Sequence, residues 1–361
     1  MSTLLSKYKG KKVFVTGNTG FKGSWLTIWL LNLGAEVYGY ALEPKNDQDN
    51  FVRCELESKM NQTYADVNDA DRLKQEIKKV QPDYIFHLAA QALVIDSYLD
   101  PLNTFNTNII GTANLMEAVK ECQNLKSLVI ITSDKCYENK EVVWGYKESD
   151  ELGGKDPYSV SKACAELIVK TYQETIFHEA PFAIATTRAG NVIGGGDWSD
   201  NRLIPDIFKN IDSNSVVDIR NPEATRPWEH VLEPLSGYLQ LGILLGESKE
   251  YAGSWNYGPS TYTHYSVLDI VKEIEKHTAI QYHVAQSDGA KTFHEAHFLK
   301  LDITKAANLL GWLPQLDFSE TIRFTVEGYQ AQEDKQLFTK RVEQIAEYTA
   351  IARKNKVTWA I

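Results

Sequence analysis

Cysteine is scarce in this sequence, with four residues in a chain of 361. The four cysteines are widely spaced and form no C-x-x-C pair: Cys54, Cys122, Cys136 and Cys164. This pattern excludes the disulfide framework of a small secreted protein and favours a reducing compartment. We therefore expect a cytoplasmic protein.

Long apolar runs and blocks of basic residues are also missing. The most apolar run, residues 25–33, is much shorter than the roughly 20 residues that span a bilayer, and residues 1–12 have no apolar segment typical of a signal peptide. Acidic residues outnumber basic ones by 48 to 38, which gives a net charge of −10. Such a surface repels polyanions. We expect a soluble, unprocessed protein with no membrane or nucleic-acid partner.

Short β-branched runs alternate with helical patterns in the first half of the chain. The expected strands are 13–16, 37–41, 84–89, 128–132 and 183–188, and the expected helices are 21–33, 69–80, 103–121 and 159–177. This alternation predicts an α/β fold with a Rossmann-type, doubly wound parallel sheet.

The composition and periodicity of the sequence change after residue 190. Glycine, proline and aromatic residues are frequent up to about residue 259, and helical periodicity without strand alternation follows at 266–311 and 318–348. The length fits two domains. We expect a dinucleotide-binding domain at 1–190, joined again by a segment near 228–260, and a smaller, mainly helical substrate lobe at 191–361.

A glycine-rich turn follows the first expected strand and precedes an apolar helix. It has the sequence Gly-Asn-Thr-Gly-Phe-Lys-Gly at residues 17–23. In this context the glycines permit the tight turn, the close approach of a pyrophosphate and the packing of helix on strand, and the helix N-terminus offers N–H groups to the anion. A turn without ligand is the alternative, but the order of strand, turn and helix favours dinucleotide binding. The expected contacts are Gly17, Thr19, Gly20, Phe21, Lys22 and Gly23.

The end of the second strand bears on the choice of dinucleotide. No acidic residue ends the run 37–41, and Glu43 is the nearest candidate to hold the adenosine ribose. No arginine stands there to receive a 2′-phosphate, so NAD is favoured over NADP. Asp66 and Val67 follow a possible third strand; Asp66 either contacts the adenine or, equally, caps a helix.

Tyr158 and Lys162 form a Y-x-x-x-K pair at the start of an expected helix. Residues four apart share one helix face, and a lysine there should lower the pKa of the tyrosine so that the phenol can act as a base. A solvated surface pair is the alternative. Ser133, at the carboxyl end of an expected strand, adds a hydroxyl in the crevice where such sheets bind ligands. The three residues together predict a catalytic site.

These residues carry a resemblance to a known family. With residues 17–23, the run 87–91, Asn108, Ser133, Tyr158 and Lys162, the sequence resembles the extended short-chain dehydrogenases/reductases, and within them the nucleotide-sugar 4,6-dehydratases. Longer stretches are similar to the branch that acts on CDP-glucose: 20–26, 132–137, 188–198, 230–238, 294–297 and 300–302. The likeness covers nearly the whole chain.

The resemblance implies an internal redox cycle on a sugar nucleotide. Tyr158 would take the proton of the 4-hydroxyl while a hydride passes to NAD, and Asp134 would protonate the departing 6-hydroxyl before the hydride returns to C6. Many relatives carry a glutamate after the aspartate as the C5 base, but Lys135 stands here. Lys135 either takes the C5 proton or only stabilises the enolate. The further cofactor contacts implied are Leu88, Ala89, Ala90 and Asn108.

Substrate contacts are expected from the second half of the chain. Arg226 is the candidate for the substrate diphosphate, because a guanidinium matches phosphate oxygens, with a plain surface arginine as the alternative. Asn191, Arg202 and His294 resemble substrate-contact positions. His294 and His297 have a spacing that a metal could use, but no third ligand is within sequence reach, so no metal is expected.

Three other functions remain open at this point. A nucleotide-sugar 4-epimerase would share the glycine turn and the pair of Tyr158 and Lys162 but needs no acid for water loss, so Asp134 is the discriminating residue. A dehydratase for a different nucleotide hexose would share all of these residues. A non-catalytic NAD-binding regulator would have no reason to keep them together.

The resemblance also implies a place and an assembly. It indicates deoxysugar synthesis for bacterial surface polysaccharide such as lipopolysaccharide O-antigen, and a homodimer or dimer of dimers in which helices 103–121 and 159–177 pair two-fold. Apolar residues beyond the needs of one sheet face favour this pairing: Ile109, Met116, Val119, Ala163, Leu167 and Ile168.

Overall fold

The computed structural model describes residues 3–213, 215–219, 221–260, 265–284 and 299–361. Its strands are β1 (Lys12–Thr16), β2 (Glu36–Ala41), β3 (Asn61–Tyr64), β4 (Tyr84–His87), β5 (Ser127–Ile131), β6 (Ala183–Ala189), β7 (Asn191–Ile193), β8 (Val217–Ile219), β9 (Thr225–Arg226), β10 (Trp228–His230), β11 (Gly253–Tyr257), β12 (Tyr265–Ser266) and β13 (Tyr282–Val284). Seven of them form one parallel sheet in the order β3-β2-β1-β4-β5-β6-β11. This sheet confirms the predicted fold class.

Helices connect and cover these strands. They are α1 (Phe21–Asn32), α2 (Asn50–Arg53), α3 (Ala70–Val80), α4 (Val94–Leu99), α5 (Pro101–Phe105), α6 (Gly111–Ala118), α7 (Pro157–Glu174), α8 (Leu203–Asp212), α9 (Leu232–Glu247), α10 (Val267–Glu275), α11 (Phe318–Gln330) and α12 (Leu337–Lys354). A π-helical turn, Asn106–Ile110, joins α5 to α6, so the helix predicted at 103–121 is a single run with a bulge in it. In the part of the chain that the structure describes, no helix has the length and apolarity to cross a membrane.

Alternate side chains of the sheet enter two separate cores. On β1, Val13 and Val15 pack with α1, α9 and α12, whereas Phe14 packs with α3, α6 and α7. A strand that is buried on both faces needs a continuous apolar run. The β-branched runs in the sequence meet this need. Helix α12 reaches the first core from the end of the chain, where the rings of Trp29 and Tyr348 lie 5.9 Å apart.

A third core lies beside the sheet and is built by α8, α10, α11 and β8. The expectation of helices without strands after residue 266 is wrong in one respect, because β13 pairs with β8 in parallel. Each strand has three residues, too few for an alternating pattern to be visible in the sequence.

The two helices predicted to form a dimer interface present fewer apolar side chains than expected. Met116 and Val119 are wholly buried against the sheet in the second core, and Ala163 is buried beside the turn after β5. These three residues are therefore corrected to core positions. Leu167 is 51% exposed and Ile110 50% exposed.

The strand order places the predicted motifs at one edge. The chain reverses direction across the sheet at β1, which pairs with both β2 and β4. In an open α/β sheet, ligands bind outside the carboxyl ends of the strands at this switch point. The residues that follow β1, β4 and β5 therefore share one crevice.

Candidate functional site

The turn after β1 is a close-packed phosphate cradle, defined here as residues 17–23. Gly17 has a φ of 70°, and a Cβ added to it would lie 2.6 Å from the backbone nitrogen of Ala89. A Cβ on Gly23 would lie 2.1 Å from the carbonyl oxygen of Gly17. The first N–H groups of a helix have no partner within the helix. In α1, which begins after Gly20, no side chain caps them. The cradle fits a dinucleotide pyrophosphate.

Polar contacts tie the cradle to the second and third strands. The Thr19 hydroxyl donates to the Leu42 carbonyl at 3.0 Å, next to the exposed Glu43. The amide nitrogen of Asn18 donates to Gln62 Oε1 at 2.6 Å, while Asn18 Oδ1 is buried without a hydrogen-bond partner among the described residues. The structure therefore adds Asn18 to the residues that shape this pocket.

The predicted adenine contacts lie in the turn after β3. Asp66 is exposed, and its Oδ1 accepts a hydrogen bond from the backbone nitrogen of Asn68 at 2.9 Å. The N-cap of α3 is Asp69 rather than Asp66. Val67 is buried, and its carbonyl accepts from the Asn114 side chain at 3.0 Å.

A neutral histidine, His87, supports the segment that follows β4, beside the cradle. His87 Nδ1 lies 2.7 Å from the Thr16 hydroxyl, which also accepts from the backbone nitrogen of Ala89 at 3.2 Å. Burial, with the charge of Lys162, lowers the pKa of His87 to about 3, so the ring carries no charge at neutral pH. Leu88, Ala89 and Ala90 follow β4 and are half-buried, and the backbone of Leu88 and Ala89 packs against Gly17.

Asn108 links the segment that follows β4 to helix α7. It lies in the π-helical turn, donates to the Gln91 carbonyl at 3.0 Å and to the Ser161 hydroxyl at 2.9 Å, and accepts from the Gln91 backbone nitrogen at 2.8 Å. Ser161 in turn donates to the Tyr158 carbonyl at 2.6 Å. Asn108 thus fixes the first turn of α7 against the segment that follows β4.

Ser133, Asp134 and Lys135 form a tight turn after β5, and the structure brings it against the first turn of α7. The Ser133 hydroxyl donates to Asp134 Oδ1 at 2.8 Å and accepts from the backbone nitrogen of Lys135 at 3.2 Å. It lies near enough to the Tyr158 phenol to lower the pKa of that phenol. Ser133, Asp134, Tyr158 and Lys162 are all buried, and Lys135 is half-buried.

Burial is the largest influence on the Tyr158 phenol. Burial raises the pKa of Tyr158 to about 12, although the nearby Ser133 hydroxyl and the charge of Arg202 act in the opposite direction. Lys162 Nζ lies 6.0 Å from the centre of the Tyr158 ring and donates to the Ile131 carbonyl at 3.4 Å. Burial and the charge of Lys22 lower the pKa of Lys162 to about 8.

The environment of Asp134 favours the protonated form of its carboxyl group more than water does. Burial raises the pKa of Asp134, against the opposing charges of Lys135 and Lys22 and the hydrogen bond from Ser133. A raised carboxyl pKa suits a general acid near neutral pH.

A second buried carboxyl group, Glu229 on β10, was missed from the sequence. Neither of its oxygens has a hydrogen-bond partner among the described residues. Burial raises the pKa of Glu229 well above its usual range, Glu233 adds to this rise, and the charge of Lys22 opposes it. The available signal was an acidic residue inside the otherwise uncharged run 227–232.

Three of the four predicted substrate residues lie in segments after residue 190 that the structure describes. Asn191 begins β7 opposite Trp228 of β10, and Arg202 pairs with Asp197 at 3.2 Å. Arg226 lies in β9 and donates to the Thr225 carbonyl at 2.7 Å. His294 and its neighbour His297 lie outside the described residues.

No metal centre is built by the residues in the described ranges, which hold no group of three or more histidine, cysteine, aspartate or glutamate side chains that could ligate an ion. The side chains that the structure brings together at this site carry hydroxyl, phenol, ammonium and carboxyl groups.

Solved structures share this fold. The chain superposes on a UDP-glucose-4-epimerase from Stenotrophomonas maltophila with bound NAD, with a TM-score of 0.76, 21% identity, and coverage of 89% of this chain and 98% of that one. It also superposes on the dTDP-glucose 4,6-dehydratase DesIV from Streptomyces venezuelae, with NAD and TYD bound, with a TM-score of 0.75, 21% identity, and coverage of 88% and 97%.

Sequence comparison is more specific. The chain is 44% identical over 352 residues to a CDP-glucose 4,6-dehydratase from Salmonella typhimurium, which covers 94% of this chain and 97% of that protein. It is 28% identical to a dTDP-glucose 4,6-dehydratase from Shigella flexneri, with coverage of 89% and 93%. Residues 14–325 match the family described as GDP-mannose 4,6 dehydratase. These matches confirm the resemblance read from the sequence, and the chain belongs to the GDP-mannose 4,6 dehydratase family.

Proposed function

We propose that this protein is an NAD-dependent hydro-lyase that converts CDP-glucose into CDP-4-keto-6-deoxyglucose. The observation that carries the proposal is the buried carboxyl group of Asp134. It accepts a hydrogen bond from the Ser133 hydroxyl and lies near the buried Tyr158. The 44% identity with a CDP-glucose 4,6-dehydratase over nearly the full length of both chains supports the choice of substrate.

The residues divide the work of water removal. When bound in the cradle, NAD supplies a hydride acceptor for C4 of the sugar and later a hydride donor for C6. Tyr158 takes the proton of the 4-hydroxyl, with Lys162 one helical turn away to stabilise negative charge on the phenol oxygen. The resulting C4 ketone acidifies the C5 proton. Asp134 donates its proton to the 6-hydroxyl, which leaves as water.

Other residues bind the ligands or complete the chemistry in this proposal. Lys135 takes the C5 proton from its half-buried position beside Asp134. The cofactor is held by the cradle residues, by Glu43, Asp66 and Val67 at the adenosine end, by Leu88, Ala89 and Ala90, and by Asn108. The substrate is held by Asn191, Arg202, Arg226 and His294.

The electrostatics of the site favour this function over the two other classes. An epimerase returns the hydride to C4 and needs no acid for a leaving hydroxyl, so it gives no role to a buried Asp134 with a raised pKa. A regulator that only binds NAD gains nothing from burying a lysine, a carboxyl and a phenol together, because each burial costs hydration energy.

The direct test uses a panel of nucleotide glucoses that carry cytidine, uridine, guanosine or thymidine. The purified protein should convert CDP-glucose fastest, with the mass loss of one water and no added NADH, because the hydride returns to the sugar in each turnover. The matched control is Asp134→Asn, which should not release water. A C4 epimer without water loss would contradict the proposal.

The remaining parts of the proposal concern the setting of the enzyme. We place it in the cytoplasm, in deoxysugar synthesis for bacterial surface polysaccharide, as a homodimer or dimer of dimers. Residues 1–190, with the return segment near 228–260, form the NAD-binding domain, and 191–361 form the substrate lobe. The third core supports a separate lobe, and the exposed Leu167 and Ile110 support the dimer.

A further inference from the structure

A buried ion pair lies next to the catalytic residues and has no part in the proposed proton transfers. Arg188 on β6 donates to Glu166 on α7 through two hydrogen bonds, from Nε to Oε1 at 3.0 Å and from Nη2 to Oε2 at 2.8 Å. Each side chain is 2% exposed. Burial acts to raise the pKa of Glu166, but the charge and hydrogen bonds of Arg188 bring it below its ordinary value. Glu166 is therefore ionised at neutral pH.

The ion pair holds both ends of the turn after β5, which carries Asp134. At the start of the turn, the Thr132 hydroxyl donates to Glu166 Oε1 at 2.5 Å. At its end, the Tyr137 phenol oxygen accepts from Arg188 Nη1 at 2.7 Å. Hydrogen bonds to charged groups are stronger than those between neutral groups. These two contacts therefore fix the turn to the ion pair.

The same ion pair is fixed to the helix that carries the catalytic phenol. Tyr158, Lys162 and Glu166 follow one another at intervals of four residues on α7, so they share one helix face. Tyr158 and Lys162 keep their spacing because they belong to one helix. The place of Asp134 relative to them depends instead on contacts between α7 and the end of β5. One such contact is the hydrogen bond from Lys162 to the Ile131 carbonyl, which is long at 3.4 Å.

We propose that Glu166 and Arg188 are positioning residues, which hold the carboxyl group of Asp134 where it can donate a proton to the 6-hydroxyl. This role rests on the proposed dehydratase function. A misplacement of about 1 Å at a reacting group can slow its step by about 10². Loosening the turn should therefore slow the release of water, whereas the oxidation at C4 uses Tyr158 and Lys162 and should be affected less.

The test leaves the two charged residues in place. Removing Glu166 would leave Arg188 buried without a counter-charge and destabilise the fold. Thr132→Val instead removes the hydroxyl that joins the turn to Glu166. The Thr187 carbonyl, which this hydroxyl also approaches at 3.1 Å, keeps its hydrogen bond from the Thr132 backbone nitrogen at 2.8 Å. Thr132→Ser keeps the hydroxyl and should restore the wild-type behaviour.

Ser254→Ala is the matched control. Ser254 lies on β11, donates to Glu166 Oε2 at 3.1 Å and accepts from Arg188 Nη2 at 2.9 Å. This substitution disturbs the same ion pair but removes no contact with the turn. A comparable loss of stability in the control, measured by thermal unfolding, would show how much of any effect on turnover comes from stability alone.

Each purified protein, with its bound cofactor, is mixed with CDP-glucose. The absorbance of reduced cofactor is recorded per active site, and the mass loss of one water is followed in the product. In Thr132→Val we expect water release to slow by roughly 10- to 100-fold while reduced cofactor accumulates on the enzyme. The wild type, Thr132→Ser and Ser254→Ala should show no such accumulation. A merely structural role would lower both signals together through the amount of folded enzyme.

Three outcomes would overturn the positioning role. The first is a Thr132→Val variant that releases water at the wild-type rate or slows without accumulating reduced cofactor. The second is a Thr132→Ser variant that behaves like Thr132→Val, and the third is a Ser254→Ala variant that accumulates reduced cofactor to the same extent. If the wild type itself removes no water from CDP-glucose, it is the proposed function that fails.

Discussion

Replacing Glu229 by glutamine should stabilise the protein near neutral pH. Its carboxyl group is 1% exposed, and neither oxygen has a hydrogen-bond partner among the described residues. Burial raises its pKa well above the ordinary value of 4.5. A raised folded-state pKa contributes stability that is complete below the unfolded pKa and is lost as the pH rises towards the folded pKa.

The size of the gain in stability follows from the free-energy cost of keeping the Glu229 carboxyl group neutral at pH 7. Keeping a carboxyl with an ordinary pKa of 4.5 protonated at pH 7 costs about 3 kcal/mol. Glutamine has nearly the same shape and no charge at any pH, so it removes this cost. The free energy of unfolding of Glu229→Gln should equal that of the wild type near pH 4.5 and exceed it by up to about 3 kcal/mol at pH 7.

Equilibrium urea unfolding at several pH values between 4.5 and 8 measures this difference. The matched control is Glu275→Gln, on the exposed face of α10, for which we expect no comparable pH-dependent gain. A loss of stability in Glu229→Gln at pH 7 would refute the reasoning, since it would mean that Glu229 is ionised and supported by the charge of Lys22.

Four further substitutions test the roles assigned to single residues. Asp134→Asn should accumulate reduced cofactor on the enzyme when CDP-glucose is added, whereas Tyr158→Phe should keep the cofactor oxidised. The absorbance of the bound cofactor distinguishes the two outcomes. If both variants were blocked before the cofactor is reduced, Asp134 could not be the acid. Lys135→Met should still reduce the cofactor but lose deuterium incorporation at C5 in D₂O, and incorporation at the wild-type rate would rule out Lys135 as the base. Leu167→Glu should dissociate the dimer in sedimentation, with the exposed Lys170→Glu as its control, and a monomeric wild type at micromolar concentration would disprove the interface.

Much of the fold was predictable because its signals are local. The strands at 13–16 and 183–188 are buried on both faces in the structure, as their β-branched runs indicate. The glycines of the cradle were predictable because a Cβ at Gly17 or Gly23 would collide with the backbone. Tyr158 and Lys162 were predictable because four residues make one helical turn.

The features missed from the sequence depend on tertiary contacts. Whether Met116 faces the sheet or a partner is decided by what packs on α6, and both choices give the same apolar residue. Burial is the largest influence on the pKa of Tyr158, and burial is not a property of the Y-x-x-x-K pattern. Glu229 becomes unusual only when β10 pairs with β7 and leaves its carboxyl group without a partner.

CDP-glucose carrying deuterium at C4 tests the central claim most directly. If Tyr158 begins an oxidation at C4 and Asp134 releases water from C6, the same hydride must leave C4 and return to C6 within one active site. Nuclear magnetic resonance of the product should therefore show the deuterium in the new methyl group of a 4-keto-6-deoxy sugar, with none released into the cofactor pool. Deuterium retained at C4 of an epimerised sugar, or lost to free NADH, would contradict the account.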